Sequence, residues 1–378
     1  MSGAVQAERG IVPPVRAVSL ASDETRARLT GWFARRFDDP DFAITAMAAP
    51  GSAGINNETL ILSVASSAPE LADVAGLVVR LETPNSIFPA LDIALHYRIY
   101  ATMQDEPLAP TPRMFGFEED SAIVGRRFFV MEKLEGLIPS DNPPFHQSGW
   151  VADMTEEDRA ALWTDAIRTM ARLQQVPTDR FQFLKDAGLG TAQQQMTYLR
   201  RYYEDARGPK DYPLMEVAWD WLQANFPKNP VEGFAWGDAR STNMLFQGTR
   251  CVGVLDWDQI SLAGAEIDLG WWLLHDWVGS FGGARLSGLH GPAETVRIWE
   301  EAIGRPARDM EFWLILNLFR LGGIMIRLKA FLIANGTPAE AVADMDWRNA
   351  AQSILQSRFG IGEPLGMGDW AVLSPALS

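Results

Sequence analysis

The sequence predicts an α+β fold of two lobes, a small N-terminal lobe with an antiparallel β-sheet and a larger, mainly helical C-terminal lobe. Short apolar runs between turn residues dominate the first third of the chain, as is typical of antiparallel strands. Helical spacing of apolar residues dominates from Thr155 onward, interrupted by two short strands between residues 234 and 259. The 378 residues can bury a core in each lobe, and we expect the lobes to comprise residues 1–135 and 136–378.

The N-terminal lobe begins with a helix, which we predict from Ser22 to Phe37. The runs "FAITAM", "ETLILSVA" and "GLVVRLE" then predict three strands, because each is apolar and bounded by Gly, Pro, Asn or Ser. A helix is predicted over residues 89–104 from the spacing of its apolar residues. The stretches "APTPRMFGFEED" and "RRFFVMEKLEG" predict a further hairpin.

The C-terminal lobe opens with a capping box, in which Thr155 caps a helix whose acidic first turn contains Asp158. Thirteen of the 14 tryptophans lie after residue 149, which predicts an aromatic interior. Neither a G-x-x-x-x-G-K-[ST] loop nor a G-x-G-x-x-G turn between a strand and a helix is present, which excludes a P-loop NTPase and a Rossmann fold. Further helices are predicted near residues 192–206, 213–225, 265–278, 294–303, 309–333 and 337–357.

The composition restricts the class of partner. A formal charge of −15 argues against nucleic acid and would attract a cationic molecule. The single cysteine, Cys251, excludes an internal disulfide and fits a reducing compartment. The most apolar helical run is interrupted by Arg320, Arg327 and Lys329, which argues against a membrane span. We therefore expect a cytoplasmic protein that binds neither nucleic acid nor membrane, and the sequence leaves its oligomeric state open.

Asp238, Asn243 and Asp256 lie close together in a stretch that is otherwise too apolar for a solvated loop. Phosphoryl transfer from ATP requires such a set, in which one carboxylate accepts the proton of the attacking hydroxyl. An amide and a second carboxylate then hold Mg²⁺, which prefers oxygen ligands. The spacing therefore predicts a phosphoryl-transfer site.

The stretches "WGDARSTNMLF" and "VLDWDQISLAGAEIDLGWWL" resemble the catalytic core of the aminoglycoside phosphotransferases and their choline-kinase-like relatives. That family usually has H-G-D-x-x-x-x-N followed by D-W-[DE], and the resemblance covers roughly residues 25–358. It implies a bilobal protein-kinase-like fold. It also implies ATP- and Mg²⁺-dependent transfer of the γ-phosphate to a hydroxyl of a small molecule, for which an aminoglycoside-like compound or an amino alcohol is a candidate.

The resemblance also implies roles for single residues. Asp238 matches the catalytic base, and Asn243 and Asp256 match the Mg²⁺ ligands. Arg240 lies inside the catalytic loop, where it would face the γ-phosphate or the substrate. Asp268 matches an acid that braces this loop.

Two segments of the N-terminal lobe resemble the nucleotide-binding parts of the family. The stretch "FVMEKLEG" resembles the hinge between the lobes, where the backbone from Glu132 to Leu134, through Lys133, would hydrogen-bond adenine and Met131 would pack beside it. The stretch "GSAGINNET" resembles the turn that covers the phosphates, since its small and amide residues let the backbone approach closely. These residues are Gly51, Ser52, Gly54, Asn56 and Asn57.

The chain departs from the family pattern at several positions. Arg80 stands where the family has the phosphate-binding lysine of the third strand, and His96 stands where it has that lysine's glutamate partner. Trp236 replaces the histidine of H-G-D, and Gln174 replaces a histidine at the end of the first large-lobe helix. These departures leave open a second hypothesis, a nucleotide-binding pseudokinase with a regulatory role. A protein kinase is disfavoured because no long activation segment follows Asp258.

Overall fold

The computed structural model describes residues 21–49, 58–83, 87, 92–280, 285–363 and 365–377. A five-stranded antiparallel sheet forms first along the chain, in the order β1-β2-β3-β5-β4. The predicted strands of the N-terminal lobe are all present. They are β1 (Ala43–Ala48), β2 (Glu58–Ala65), β3 (Leu77–Leu81), β4 (Met114–Glu118) and β5 (Phe128–Glu132).

Two helices accompany this sheet. Helix α1 (Asp23–Arg36) begins where the Ser22 side chain accepts a hydrogen bond from the Thr25 N–H, as expected for an N-cap. Helix α2 (Ile93–Met103) begins after Asp92, whose side chain accepts from the Ala94 N–H, and the predicted residues 89–91 lie outside the described residues. We call α1, α2 and β1–β5 the sheet lobe.

Alternation along β3 separates the two faces of the sheet. Leu77, Val79 and Leu81 are fully buried against the apolar face of α1, and the intervening Val78 and Arg80 point to the opposite face. Residues of β5 alternate in the same way, so that Phe129 and Met131 join the core of the helical lobe. The face that carries Arg80 is therefore the face turned toward the helices.

The described part of the remaining chain is mainly helical and contains a two-stranded sheet, β6 (Met244–Gln247) paired with β7 (Arg250–Val254). Its core contains most of the tryptophans. Five of these side chains are less than 2% exposed: Trp163, Trp236, Trp257, Trp272 and Trp299. The helices are α3 (Trp150–Asp153), α4 (Glu156–Leu173), α5 (Phe183–Asp186), α6 (Ala192–Arg207), α7 (Pro213–Ala224), α8 (Glu266–Gly279), α9 (Pro292–Ile303), α10 (Met310–Ala334) and α11 (Ala350–Phe359).

The predicted helix over residues 337–357 is wrong in its first half. A 3₁₀ turn at Ala339–Val342 is followed by non-helical chain, and α11 begins only after Asn349. The Asn349 side chain accepts from the Gln352 N–H at 3.1 Å, which starts a new helix instead of continuing an old one. The division into lobes at residue 135 stays a prediction.

Helix α10 is the longest described helix, and many of its apolar side chains pack in the core. Among the described residues, no helix combines the length and apolar character required to cross a bilayer.

Candidate active site

The catalytic loop, residues 237–243, leaves the core at Gly237 and ends in a 3₁₀ turn that leads into β6. Gly237 has φ +93°, and a Cβ atom there would lie 1.9 Å from the carbonyl oxygen of Gln259. Only glycine fits this close approach of two backbone segments. The loop therefore lies directly against the segment that follows Asp256.

Three side chains fix the carboxylate of Asp238, which is 14% exposed. The Trp271 Nε1–H donates to Oδ1 at 2.7 Å, the Asn243 Nδ2–H donates to Oδ2 at 2.7 Å, and the Arg240 Nε–H donates to Oδ2 at 3.1 Å. Burial opposes ionisation, but the charge of Arg240 and the bond from Trp271 hold the pKa of Asp238 well below its usual range. Asp238 is therefore an oriented, ionised carboxylate at neutral pH.

Asp268, fully buried near the start of α8, holds the beginning of the catalytic loop. Its carboxylate accepts hydrogen bonds from the backbone N–H groups of Trp236 and Gly237, each at 2.7 Å. Gln174 adds a third bond at 2.9 Å, and its amide oxygen accepts from the indole N–H of Trp299. Burial raises the pKa of Asp268 to about 6 despite these bonds. Gln174 thus connects the bracing acid to α9.

Arg320, a residue of α10 that sequence reasoning did not assign to the site, is 2% exposed and reaches the same loop. Its Nη1 donates to the Gly237 carbonyl at 2.8 Å, and its guanidinium lies 3.7 Å from the centroid of the Trp271 ring. Burial lowers the pKa of Arg320 to about 10, so it still carries its charge at neutral pH. The guanidinium stacked on an indole is a cation–π contact that also orients Trp271.

Asp256 follows β7 with φ +60°, an unusual conformation for a residue other than glycine. Its Oδ1 is buried and has no hydrogen-bond partner among the described residues. Burial, together with the carboxylates of Asp258 and Asp238, raises the pKa of Asp256 to about 7. Such a buried, unpartnered oxygen beside other acids fits a bound cation.

Trp236 contacts the backbone of this acid. Its indole N–H donates to the carbonyl oxygens of Leu255 and Asp256, at 2.9 and 3.0 Å. The tryptophan that stands in place of the family's histidine thus makes two hydrogen bonds of its own. Trp236 therefore ties the residue before the catalytic loop to the segment of Asp256.

Asn243 presents its amide in a defined orientation. Its Nδ2 donates both to the Asp238 carboxylate and to the Asp238 backbone carbonyl at 3.1 Å, which turns the amide oxygen away from Asp238. An amide oxygen and the Asp256 carboxylate are the donor types that suit Mg²⁺. Among the described residues no group of three or more His, Cys, Asp and Glu could hold a metal, which is compatible with a Mg²⁺ site that draws further ligands from phosphates and water.

Arg240 is held between two acids. Besides its bond to Asp238, its Nη1 contacts Asp141 at 2.7 Å, in the segment that follows the hinge. Near the Asp238 carboxylate, the ring of His275 lies with its centroid 4.3 Å from that of the Trp271 ring, and burial lowers the pKa of His275 to about 3. The imidazole of His275 is therefore neutral near the proposed base.

The departures at Arg80 and His96 meet at one acid. Arg80 Nη2 lies 3.6 Å and His96 Nε2 lies 3.1 Å from Oδ1 of Asp258. Burial lowers the pKa of His96 to about 3, so Arg80 supplies the positive charge of this cluster. The backbone N–H of Asp256 donates to the Tyr100 hydroxyl at 3.3 Å, so α2 also contacts the segment beside the acids.

The predicted hinge requires one correction. The Glu132 N–H donates to the Arg113 carbonyl and the Lys133 N–H to the Gly76 carbonyl, each at 2.8 Å. These two groups are engaged within the protein and are not available to adenine, which narrows the expected donor to the Leu134 N–H. Met131 is 6% exposed and belongs to the helical core.

The sequence also predicts a glycine-rich turn that covers the phosphates. Its residues all fall outside the described residues, which end at 49 and resume at 58: Gly51, Ser52, Gly54, Asn56 and Asn57.

Comparisons with known proteins identify the family of the chain. The sequence model of the Phosphotransferase enzyme family (APH) matches residues 69–301, which is more than half of the chain. The chain therefore belongs to this family of phosphotransferases, as the motif resemblance indicated.

Solved structures confirm the bilobal kinase-like α+β fold. A protein assigned as an aminoglycoside phosphotransferase from Ralstonia eutropha superposes with a TM-score of 0.63 at 22% identity, covering 87% of this chain and 95% of that one. The aminoglycoside phosphotransferase APH(4)-Ia, in a ternary complex with AMP-PNP and hygromycin B, gives 0.54 at 13% identity and covers 89% and 99%.

A curated relative places a similar segment in a longer protein. Acyl-CoA dehydrogenase family member 11 from Homo sapiens is 25% identical in an alignment of 265 positions that covers 65% of this chain and 32% of the human protein. The chain thus matches about a third of the length of this relative.

Proposed function

We propose that the chain is an ATP- and Mg²⁺-dependent phosphotransferase that transfers the γ-phosphate to a hydroxyl of a small molecule. The observation that carries the proposal is the Asp238 carboxylate, which is ionised, almost buried and held by Trp271, Asn243 and Arg240. A base for proton abstraction must be ionised and fixed, and Asp238 is both. Within the family of phosphotransferases, this is the position at which the motif puts the base.

Several features support a nucleotide between the sheet lobe and the helices. Arg80 points from the sheet toward the acids, and Leu134 of the hinge has the N–H that we assign to adenine. Ternary complexes of a thermostable mutant of the structurally similar APH(4)-Ia contain ADP or the nucleotide analogue AMP-PNP. The phosphate-covering role of residues 51–57 belongs to the same proposal.

Mg²⁺ would be held by the amide oxygen of Asn243 and the carboxylate of Asp256, whose Oδ1 is buried without a partner among the described residues. When bound, the ion would neutralise charge on the phosphates and align them. The protein's own contributions are separate. Asp238 takes the proton of the attacking hydroxyl, and Arg240, released from Asp141, offsets charge on the transferred phosphoryl group.

The acceptor is proposed to be small. The chain runs from Asp258 to the start of α8 at Glu266 within a few residues, which leaves no long segment there to bind a peptide. A formal charge of −15 favours a cationic acceptor such as an aminoglycoside-like molecule or an amino alcohol. The acyl-CoA dehydrogenase name of the curated relative favours a second class, a hydroxylated acyl-CoA thioester, which is anionic because of the phosphates of coenzyme A. The two classes differ in charge, so they can be separated by experiment.

The test is phosphate transfer from Mg·ATP to a panel of aminoglycosides, amino alcohols, sugars, nucleosides and hydroxyacyl thioesters, followed by mass spectrometry. A product that disappears in Asp238→Asn, whose circular dichroism matches wild type, would establish the reaction and identify the acceptor class. We expect roughly a 10²–10⁴-fold loss of rate in this variant, the usual contribution of a general base. Near-wild-type turnover would contradict the role of Asp238.

A binding experiment addresses the metal and the alternative hypothesis. Asp256→Ala should abolish the Mg²⁺ dependence of nucleotide affinity measured by calorimetry, and an unchanged dependence would refute the assignment. If wild type binds nucleotide but forms no product with any acceptor, the pseudokinase hypothesis replaces the enzyme hypothesis.

A further inference from the structure

A cluster of buried polar side chains lies where the sheet lobe contacts the segment after β7. Arg80 of β3, His96 of α2 and Asp258 are 12%, 5% and 7% exposed as side chains. Both Arg80 and His96 approach the same oxygen, Oδ1 of Asp258. Two of the three residues therefore come from the sheet lobe, and the acid comes from the helical part of the chain.

Local structure explains why these side chains converge. Alternation along β3 directs Arg80 to the face opposite α1. His96 and Tyr100 are four residues apart on α2, so they share the helix face that contacts Asp256 and Asp258. The cluster is thus determined by one strand register and one helix face.

The Arg80 guanidinium requires a counter-ion, and α2 of the sheet lobe does not supply one at the position where the family has a glutamate. A buried guanidinium is costly unless a carboxylate pairs with it. The resemblance expects that carboxylate on α2, at the position of His96, whose imidazole is neutral because burial lowers its pKa. Although burial disfavours its charge, Arg80 has a raised pKa because of Asp258, with smaller contributions from Tyr100 and Asp256.

We infer that Asp258 replaces the missing helix acid as the counter-ion of Arg80, and that it is a positioning residue which orients this guanidinium toward the nucleotide phosphates. The inference rests on the proposed nucleotide-dependent function. It has a mechanical consequence, because the ion pair joins the two lobes. Arg80 is correctly oriented only when the sheet lobe lies against the segment of Asp258, so closure of the lobes and positioning of the cation become one event.

The test is a double-mutant cycle with Arg80→Met and Asp258→Asn, read as the Kd of ADP in EDTA by calorimetry. Metal-free ADP reports contacts to the phosphates without turnover and without a Mg²⁺ ligand. Each single variant should raise the Kd roughly 10-fold, as expected for loss of a charge-assisted contact. The Kd of the double variant should not exceed the larger of the two single-variant Kd values, because Asp258 acts through Arg80.

Two results would overturn the inference. Multiplicative effects of the two substitutions would mean that Asp258 acts on the nucleotide independently of Arg80, and an unchanged Kd in Asp258→Asn would remove its role altogether. If wild type itself binds no ADP or ATP, the proposed function fails instead, so the two failures are distinguishable.

A rescue experiment adds a readout that a general structural role would not move. His96→Glu puts a carboxylate on α2 at the expected position, and in the Asp258→Asn background it should restore the Kd of ADP to within about 3-fold of wild type. A folded double variant that stays as weak as Asp258→Asn contradicts the inference.

Folding is controlled in the same series. Asp346→Asn removes a comparably buried acid whose partners are Lys210, Lys329 and the Tyr212 hydroxyl, outside the cluster, and it should leave the Kd unchanged. If Asp258→Asn does not fold, the cycle is run with Asp258→Glu, which keeps the charge but moves the carboxylate by one methylene. The same criterion of non-additivity with Arg80→Met then applies.

Discussion

Replacing Trp271 by phenylalanine removes one hydrogen bond to the proposed base and keeps an aromatic ring at its position. The indole N–H is 2.7 Å from Oδ1 of Asp238. The Arg320 guanidinium lies 3.7 Å from the centroid of the Trp271 ring, and the centroid of the His275 ring lies 4.3 Å from it. The substitution therefore isolates the N–H from most of the surrounding packing.

The magnitude follows from the charge of the acceptor. Hydrogen bonds to charged groups contribute about 1.5–3 kcal/mol. If the bond is needed to orient Asp238 during proton transfer, the loss corresponds to roughly a 10- to 150-fold decrease in kcat. The KM for ATP should change little, because Trp271 contacts the base and not the sheet lobe.

Trp272 provides a matched control on the next position of α8. It is buried as deeply as Trp271 and packs edge-to-face on Trp163, but its indole N–H has no hydrogen-bond partner among the described residues. Trp272→Phe should lower the Tm and leave kcat close to wild type. Steady-state kinetics and thermal unfolding of both variants give the comparison. Equal losses of kcat in the two variants, or no loss in Trp271→Phe, would refute the orienting role.

Three further predictions concern the support of the site and of the fold. Gly237→Ala should lower the free energy of unfolding by about 3 kcal/mol or more, because it combines a steric overlap with positive φ. Gly248 has φ +60° but open space around it, so Gly248→Ala should lower the free energy of unfolding by only about 1–2 kcal/mol; urea titrations of both variants give the comparison. Gln174→Leu leaves Asp268 with one donor fewer, so the free energy of unfolding should fall by about 1–3 kcal/mol and activity should fall with it; unchanged urea midpoints would contradict this. Burial alone would raise the pKa of Asp346, but bonds from its lysine and tyrosine partners lower this pKa to about 2. The ionised Asp346 should therefore contribute about 2 kcal/mol to the free energy of unfolding above pH 3.8 and lose this contribution as the pH falls toward 2. The difference in free energy of unfolding between wild type and Asp346→Asn should narrow over the same pH range.

The fold could be predicted largely because its signals are local. Strand alternation, turn residues and capping residues act within about ten positions, so α1, the five strands and most helices were predictable. The predicted helix at 337–357 failed because its apolar spacing continues across Asn349, whose side chain begins a new helix. Periodicity alone does not distinguish one long helix from a turn followed by a capped short one.

The site was predictable where its residues are close in sequence. Asp238 and Asn243 lie in one motif, and their contact requires only a short loop. The partners that orient them are distant, since Trp271 is 33 and Arg320 is 83 residues from the groups they contact. A tryptophan or arginine within an apolar helix has no spacing signal that separates core packing from support of a catalytic loop.

The residues at the departures from the family pattern bear on whether the chain is active. Each residue that departs from the pattern makes a defined contact in the site: Trp236 bonds the Asp256 carbonyl, Gln174 bonds Asp268, and Arg80 and His96 both approach Asp258. By contrast, Oδ1 of Asp256 is left buried without a partner among the described residues, at a cost to stability in the absence of a cation. A buried carboxylate of this kind is expected where a cation is bound. An oriented and ionised Asp238 is needed for proton abstraction and not for nucleotide binding alone, so it favours a working phosphotransferase over a nucleotide-binding pseudokinase.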